Sequence, residues 1–163
     1  MEIKLLVERL IKKHNTNNPF IIARNMNIII LHSDMKNTLG FFNTYKRSKF
    51  IHLNNNTPNK LKRFVCAHEL GHAIQHQNIN TPFLKRNTLF SVDKIEREAN
   101  EFAVELLLTD DILKSYPDIT LFHLAKLIGI PEKLTVLKST SLQHLFNISS
   151  RSLQHLFIDL EGV

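Results

Sequence analysis

His68-Glu69-Leu70-Gly71-His72 limits what this chain can fold into more than any other stretch. Read as a helix, it sets two imidazoles four residues apart, one turn apart on one face. Two neutral rings at that spacing can hold one Zn²⁺, with nitrogens at about 2.0–2.1 Å. Glu69 is rotated off the ligand stripe but stays beside the ion. There a carboxylate can take a proton from water and later return it to a leaving group. The plain alternative is a helix with two satisfied histidines. The chain holds 9 His in 163 residues, and a shuffled version would show H-E-x-x-H roughly 0.03 times, which disfavours that alternative.

The flanking residues support a helix. Thr57-Pro58 reads as its start, with Thr57 as N-cap and Pro58 at the first helical position. Leu61, Phe64, Val65, His68 and His72 then recur at three- and four-residue steps, so the histidines fall on the apolar stripe. Imidazoles on a buried side need partners, and a metal supplies one. The pattern is that of zinc peptidases. Cys66 falls on the opposite side of the helix and reads as a small core residue. His76 continues the stripe, but one straight helix does not easily wrap three consecutive turns around a tetrahedral ion, so it reads as a rim residue. Gln75 and Asn78 stand where metzincins place Gly and His, which excludes that class.

Length fits one domain, and 43% hydrophobic content is enough for a packed core. No apolar run reaches a membrane span, and Glu2, Lys4, Glu8 and Arg9 rule out a signal-peptide reading of the N-terminus. One cysteine excludes an internal disulfide, and a reducing cytoplasm is the expected compartment. Residues 1–66 carry 12 Lys/Arg against 3 Asp/Glu, whereas residues 67–163 carry 9 against 12. The basic half reads as a solvated surface, because no nucleic-acid-binding motif accompanies it. Direct DNA binding is not expected.

In chain order, residues 2–14 read as an amphipathic helix on Ile3, Leu6, Val7, Leu10 and Ile11. A turn at 15–19 leads to a short helix over 19–26. Asn27–His32 reads as a buried strand, and 40–43 and 50–53 as two more, joined through the polar segment 44–49. The expected architecture is α+β: a small antiparallel sheet of about three strands, packed on the H-E-x-x-H helix and on a glutamate-bearing helix, followed by a helical C-terminal part. Residues 1–110 would form the core and 111–163 the C-terminal subdomain.

The glutamate helix begins near Ser91 or Asp93, where Asp93 and Glu96 resemble a capping box. Ile95, Ala99, Phe102 and Leu106 form its apolar stripe, with Glu98 at the border and Glu96 pointing away. A carboxylate at a core border needs a cation or donors. Glu98 is thus the candidate third ligand, against the alternative of a solvated helix carrying four glutamates.

The pair of segments resembles the ImmA/IrrE family of zinc metallopeptidases. That family joins H-E-L-G-H to E-x-E-A-N-x-F-A-x-x-L-L, here Glu96-Arg97-Glu98-Ala99-Asn100-Glu101-Phe102-Ala103 and Leu106-Leu107. The resemblance implies a gluzincin-like site with Zn²⁺ on His68, His72 and Glu98, and Glu69 as general base. It implies an endopeptidase acting as an anti-repressor, cutting a separate helix-turn-helix repressor of the Xre type. One departure stands out: Leu108-Thr109-Asp110 follows the leucine pair where the family has proline. Phe102 also stands where thermolysin-like gluzincins carry an acid that steadies a ligand histidine. The alternative is a non-proteolytic regulatory protein that captures a repressor or DNA.

The last third is less patterned. Ala125-x₃-Gly129 resembles the first turn of a helix-turn-helix, but Thr135 occupies a position that should be apolar, so a packing subdomain is favoured. Ser-Leu-Gln-His-Leu-Phe occurs at 141–146 and 152–157 and reads as a local duplication forming a terminal helix or partner surface.

Overall fold

The computed structural model describes residues 2–76 and 89–138, with side chains from 94 onward in the second stretch. The 141–157 duplication lies outside the described residues.

α1 (Glu2–His14) buries Val7 and Leu10, with Ile3, Leu6 and Ile11 packed beside them. α2 (Pro19–Asn25) starts with Pro19 at its first position, and the Asn18 side-chain oxygen accepts from the Phe20 N–H at 3.0 Å. That cap satisfies one of the donors that a helix start leaves orphaned.

Three strands follow: β1 (Ile28–Ser33), β2 (Gly40–Tyr45) and β3 (Ser48–Asn54). Their order is β1-β3-β2, with β3 antiparallel to β2 and parallel to β1. The sheet is therefore mixed, where an antiparallel one was expected. Parallel neighbours need a crossover, and here the crossover is residues 34–39 with β2, which runs back along the far side of β3. The β2–β3 connection is also tighter than the expected 44–49. Only Lys46 and Arg47 turn, at φ 46° and 68°. Two left-handed residues are what a type I′ hairpin demands. The usual Asn-Gly signal is missing, so the sequence did not reveal it. Phe41 stacks on His52 across the strands at 4.2 Å.

α3 (Asn59–Gln75) lies against β2 and β3. Pro58 caps it, one place later than expected, with no side-chain cap bond. The Thr57 side chain is buried instead of reaching forward. α4 (Leu89–Leu107) packs along α3 and α1 and starts before Ser91, so Asp93 lies inside the helix and not at its cap. Phe42, Ile51, Leu53, Leu70, Phe102 and Leu106 are fully enclosed between these layers. α5 (Asp110–Ser115) and α6 (Leu121–Ile128) are capped by Thr109 and Thr120. α6 ends at Gly129 in the left-handed conformation, φ 95°, against the Lys60 backbone; a Cβ there would stand 2.6 Å from the Lys60 carbonyl oxygen. Pro131 and a 3₁₀ turn, Glu132–Leu134, follow. Among the described residues no helix is long and apolar enough to cross a membrane.

A buried charge cluster ties residue 138 to this core. The Lys138 ammonium, fully enclosed, donates to Glu105 and Asp110 at 2.7 Å each, and Lys4 from α1 also bonds Asp110. Burial alone would raise the Asp110 carboxyl, but hydrogen bonds from Lys138 and Lys4 hold it below its ordinary value. Removing one partner of such a pair strands the other charge. Lys138→Met should therefore cost about 3–5 kcal/mol in urea unfolding. Lys114→Met, at an exposed 4.0 Å contact with Asp111, should leave stability unchanged. Because the Asp110 pKa is depressed on folding, its contribution is present above pH 3.8 and lost as pH falls through the folded value. Thermal melts against pH would show that loss as a steeper acid decline in the parent than in Asp110→Asn.

Candidate metal and catalytic site

The site forms where α3 and α4 come close. A Cβ added at Gly71 would stand 3.1–3.2 Å from the Phe102 side chain. Glycine there lets the Phe102 ring lie directly on α3. Ala67, Ala99 and Ala103 are likewise fully buried, and small residues on facing sides shorten the distance between axes. Glu96 and Asn100, four residues apart and so on one face of α4, are brought against His68 and His72.

The rings of His68 and His72 meet edge to face at 82°, with centroids 4.7 Å apart. Their Nε2 atoms are 3.1 Å from each other. Glu96 completes the triangle, with one carboxylate oxygen 3.2 Å from His68 Nε2 and the other 3.7 Å from His72 Nε2. Among the described residues this is the group of three whose donor atoms converge as a metal site requires, all lying within 4.8 Å of one another. His68 Nδ1 faces the Asn100 side-chain oxygen at 2.9 Å. An oxygen acceptor there takes a hydrogen bond from Nδ1–H, which turns Nε2 toward Glu96 and His72.

The structure does not bring Glu98 to this point. Its carboxylate faces His76 Nε2 at 3.3 Å and Lys94 Nζ at 3.7 Å. The reason is rotational: at 3.6 residues per turn, two residues turn the side chain about 200° around the helix. The expectation that Glu96 points away is corrected likewise. Sequence reasoning centred the buried face on Ile95, Ala99, Phe102 and Leu106 and took the glutamate at its border. The available signal was the run Glu96, Ala99, Asn100, Ala103, a polar-and-small face suited to meeting another helix. Asn100 was missed for the same reason. His76, expected at the rim, is mostly enclosed and paired with Glu98.

Burial lowers the His68 pKa, but the Glu96 hydrogen bond, the charges of Glu69 and Glu96 and the Asn100 contact outweigh it and leave the pKa raised. A site that favours positive charge at the ring nitrogens also favours a cation between them. Glu69, only 5% exposed, lies in the wall of a cleft of about 340 Å³ shared with His68, Gly40, Leu61 and Pro131. Cys66 is fully enclosed behind the helix and takes no part in the donor cluster.

Residues 23–155 match the model of the M78 peptidase family, described as an IrrE N-terminal-like domain. The chain is 46% identical to immunity region protein 2 of Bacillus phage phi105 over 142 residues, which covers 85% of this chain and 90% of that protein. It is 34% identical to the metallopeptidase ImmA of Bacillus subtilis over 159 residues, covering 94% and 91%.

Burial first, and the nearby Glu69 charge second, push the Cys66 thiol up to about 12. The folded protein should therefore resist iodoacetamide at pH 8, while the urea-unfolded chain is alkylated readily. Since the folded thiol stays neutral where the unfolded one ionises, stability should begin to fall above pH 9.0. Rapid alkylation of the native protein would contradict the enclosed position.

Proposed function

The chain belongs to the IrrE N-terminal-like peptidase family and is a metallopeptidase by that membership, and from this and the site geometry we propose a zinc endopeptidase that cuts a transcriptional repressor. The convergence of His68, His72 and Glu96 carries the reading. In a tetrahedral zinc site with bonds near 2.0–2.1 Å, neighbouring donors stand about 3.3–3.4 Å apart. The Nε2–Nε2 separation of 3.1 Å and the 3.2 Å from His68 Nε2 to one Glu96 oxygen lie close to that value, and the other Glu96 oxygen stands 3.7 Å from His72 Nε2. Two imidazoles and one carboxylate are a catalytic donor set, because they leave a fourth position open.

Zinc bound there would polarise a scissile carbonyl and lower the pKa of a water molecule beside it. Glu69, next to His68 in the cleft wall, takes the proton from the attacking water and delivers it to the leaving amine. Asn100 holds the His68 ring in the tautomer and orientation that present Nε2. β2 is an edge strand of the sheet, so an extended peptide can add along it and reach the cleft that begins at Gly40. An immunity-region relative and an ImmA relative together favour a phage-type repressor with a helix-turn-helix domain as the substrate. The setting is the cytoplasm, where such repressors act.

Glu69→Gln should keep stoichiometric zinc and lower the cleavage rate of the neighbouring-gene repressor by about 10²–10⁴. Chelation should abolish cleavage, and zinc should restore it. Glu96→Ala should weaken zinc binding by more than about 100-fold, whereas Glu98→Ala should change it less than about threefold. Calorimetric zinc titration of both variants separates the two glutamates. Repressor released intact by both parent and Glu69→Gln would contradict proteolysis.

A further inference from the structure

The sheet is packed on one side only. Phe42, Ile51 and Leu53 are fully buried on the side that α3 covers. Side chains alternate across a strand, so the residues between them point the other way. The register fixes which these are. Phe41 lies beside His52, Asn43 beside Phe50 and Tyr45 beside Ser48. On β1, Ile29 lies beside Phe50 and Leu31 beside His52. Four aromatic rings and two aliphatic side chains thus share this face, with no Lys, Arg, Asp or Glu among them. Ile29, Leu31 and Tyr45 are 44, 40 and 61% exposed, and Phe41, Phe50 and His52 are half-buried.

The rings are ordered and the rim is basic. Phe41 and His52 stack 12° from parallel, Phe50 stands 6.3 Å from His52, and Asn43 Oδ1 holds His52 Nε2 at 3.1 Å. Residues 24–54 carry Arg24, Lys36, Lys46, Arg47 and Lys49 against Asp34 alone. Lys49 turns to the packed side, where its Nζ donates to the Ala73 carbonyl. Lys46 and Arg47 form the exposed hairpin tip next to Tyr45, with Lys46 Nζ 5.5 Å from the Tyr45 ring centroid. Lys36 lies beyond the opposite end of the sheet.

Size decides which partner fits. Three strands about 4.8 Å apart, with about 3.3 Å per residue, make a face of about 300 Å². A stable protein interface takes about 800 Å² from each partner, so a second copy or a folded protein would leave most of its contact area elsewhere. Two or three bases fit, and rings on adjacent strands of an open sheet are a known stacking platform for them. We propose that this face binds single-stranded nucleic acid. The bases stack on Phe41, Tyr45, Phe50 and His52, and Lys46 and Arg47 take phosphates. The site is separate from the peptidase reading and needs no metal. Stacking accepts every base, so the face selects strandedness and not sequence. No motif marks it in the chain, because register between strands assembles it and not spacing within one.

Fluorescence anisotropy of the full chain with labelled oligothymidylate, oligouridylate and a duplex of equal length tests this. The single strand should bind about tenfold or more tighter than the duplex, and the tighter of the two oligomers tells DNA from RNA as the source. Tyr45→Leu keeps an apolar side chain but removes a ring. It should weaken binding about fivefold or more and leave the salt dependence unchanged. Lys46→Asn with Arg47→Gly suits the left-handed turn and removes two charges. The slope of log affinity against log salt should become shallower by about 1.4. Thermal melts and zinc uptake equal to the parent's establish that the variants fold. Duplex bound as tightly as single strand, or parent-like binding by Tyr45→Leu, would overturn the platform. So would failure of folded protein to bind either oligomer at low salt, and each of these results leaves the peptidase reading standing.

Discussion

Close approach of α3 and α4 is the constraint on which the site depends. The donor atoms come from two helices, so their meeting point is set by how near the helices lie and how each is rotated. Gly71 against Phe102, with Ala67, Ala99 and Ala103 buried nearby, lets the glutamate of one helix reach the imidazoles of the other. A larger residue at 71 would push the Phe102 ring away, and a shift of one ångström there is comparable with the tolerance of a metal site. The arrangement of the donor atoms is therefore a consequence of core packing. The same buried alanines that contribute little hydrophobic area are what permit the polar contacts.

The rest of the fold fixes the surroundings of that junction. The sheet lies on α3 through Phe42, Ile51 and Leu53. Gly40 meets α3 so closely that a Cβ would stand 2.6 Å from Val65 Cγ1. This brings the start of an edge strand to the mouth of the cleft. On the other side, Lys138 is locked between Glu105 and Asp110, and Gly129 is seated on Lys60. The segment after α6 is thus held at two places, and Pro131 between them becomes cleft wall. Buried ion pairs add little net stability but fix geometry when every partner is present, and that describes this cluster's place in the fold.

Two members of the donor cluster were legible in the sequence, and the errors over the third have physical causes. Two histidines and a glutamate within five residues, on an apolar stripe, single out the helix that could hold a metal, because helical spacing follows directly from residue number. The third donor depends on how α4 is rotated against α3, which is a tertiary quantity. Glu96 and Glu98 both follow plausible helical patterns, and only the contact with α3 distinguishes them. Asn100 carried the decisive hint, since an amide four residues after Glu96 shares its face. In the sheet, the strands were legible from their β-branched and aromatic runs. Their pairing was not, because parallel placement of β1 beside β3 depends on the path of residues 34–39 and on a Lys-Arg turn with no glycine to mark it. The IrrE N-terminal-like family match agrees with the resemblance carried by the two helical motifs.

The central claim is that one metal ion sits between His68, His72 and Glu96. Crystals of the zinc-loaded protein, measured on both sides of the zinc absorption edge, test it most directly. The account predicts a single strong anomalous peak about 2.0–2.2 Å from both Nε2 atoms and a Glu96 oxygen. A peak at His76 and Glu98, or protein that carries no zinc after loading, would contradict it.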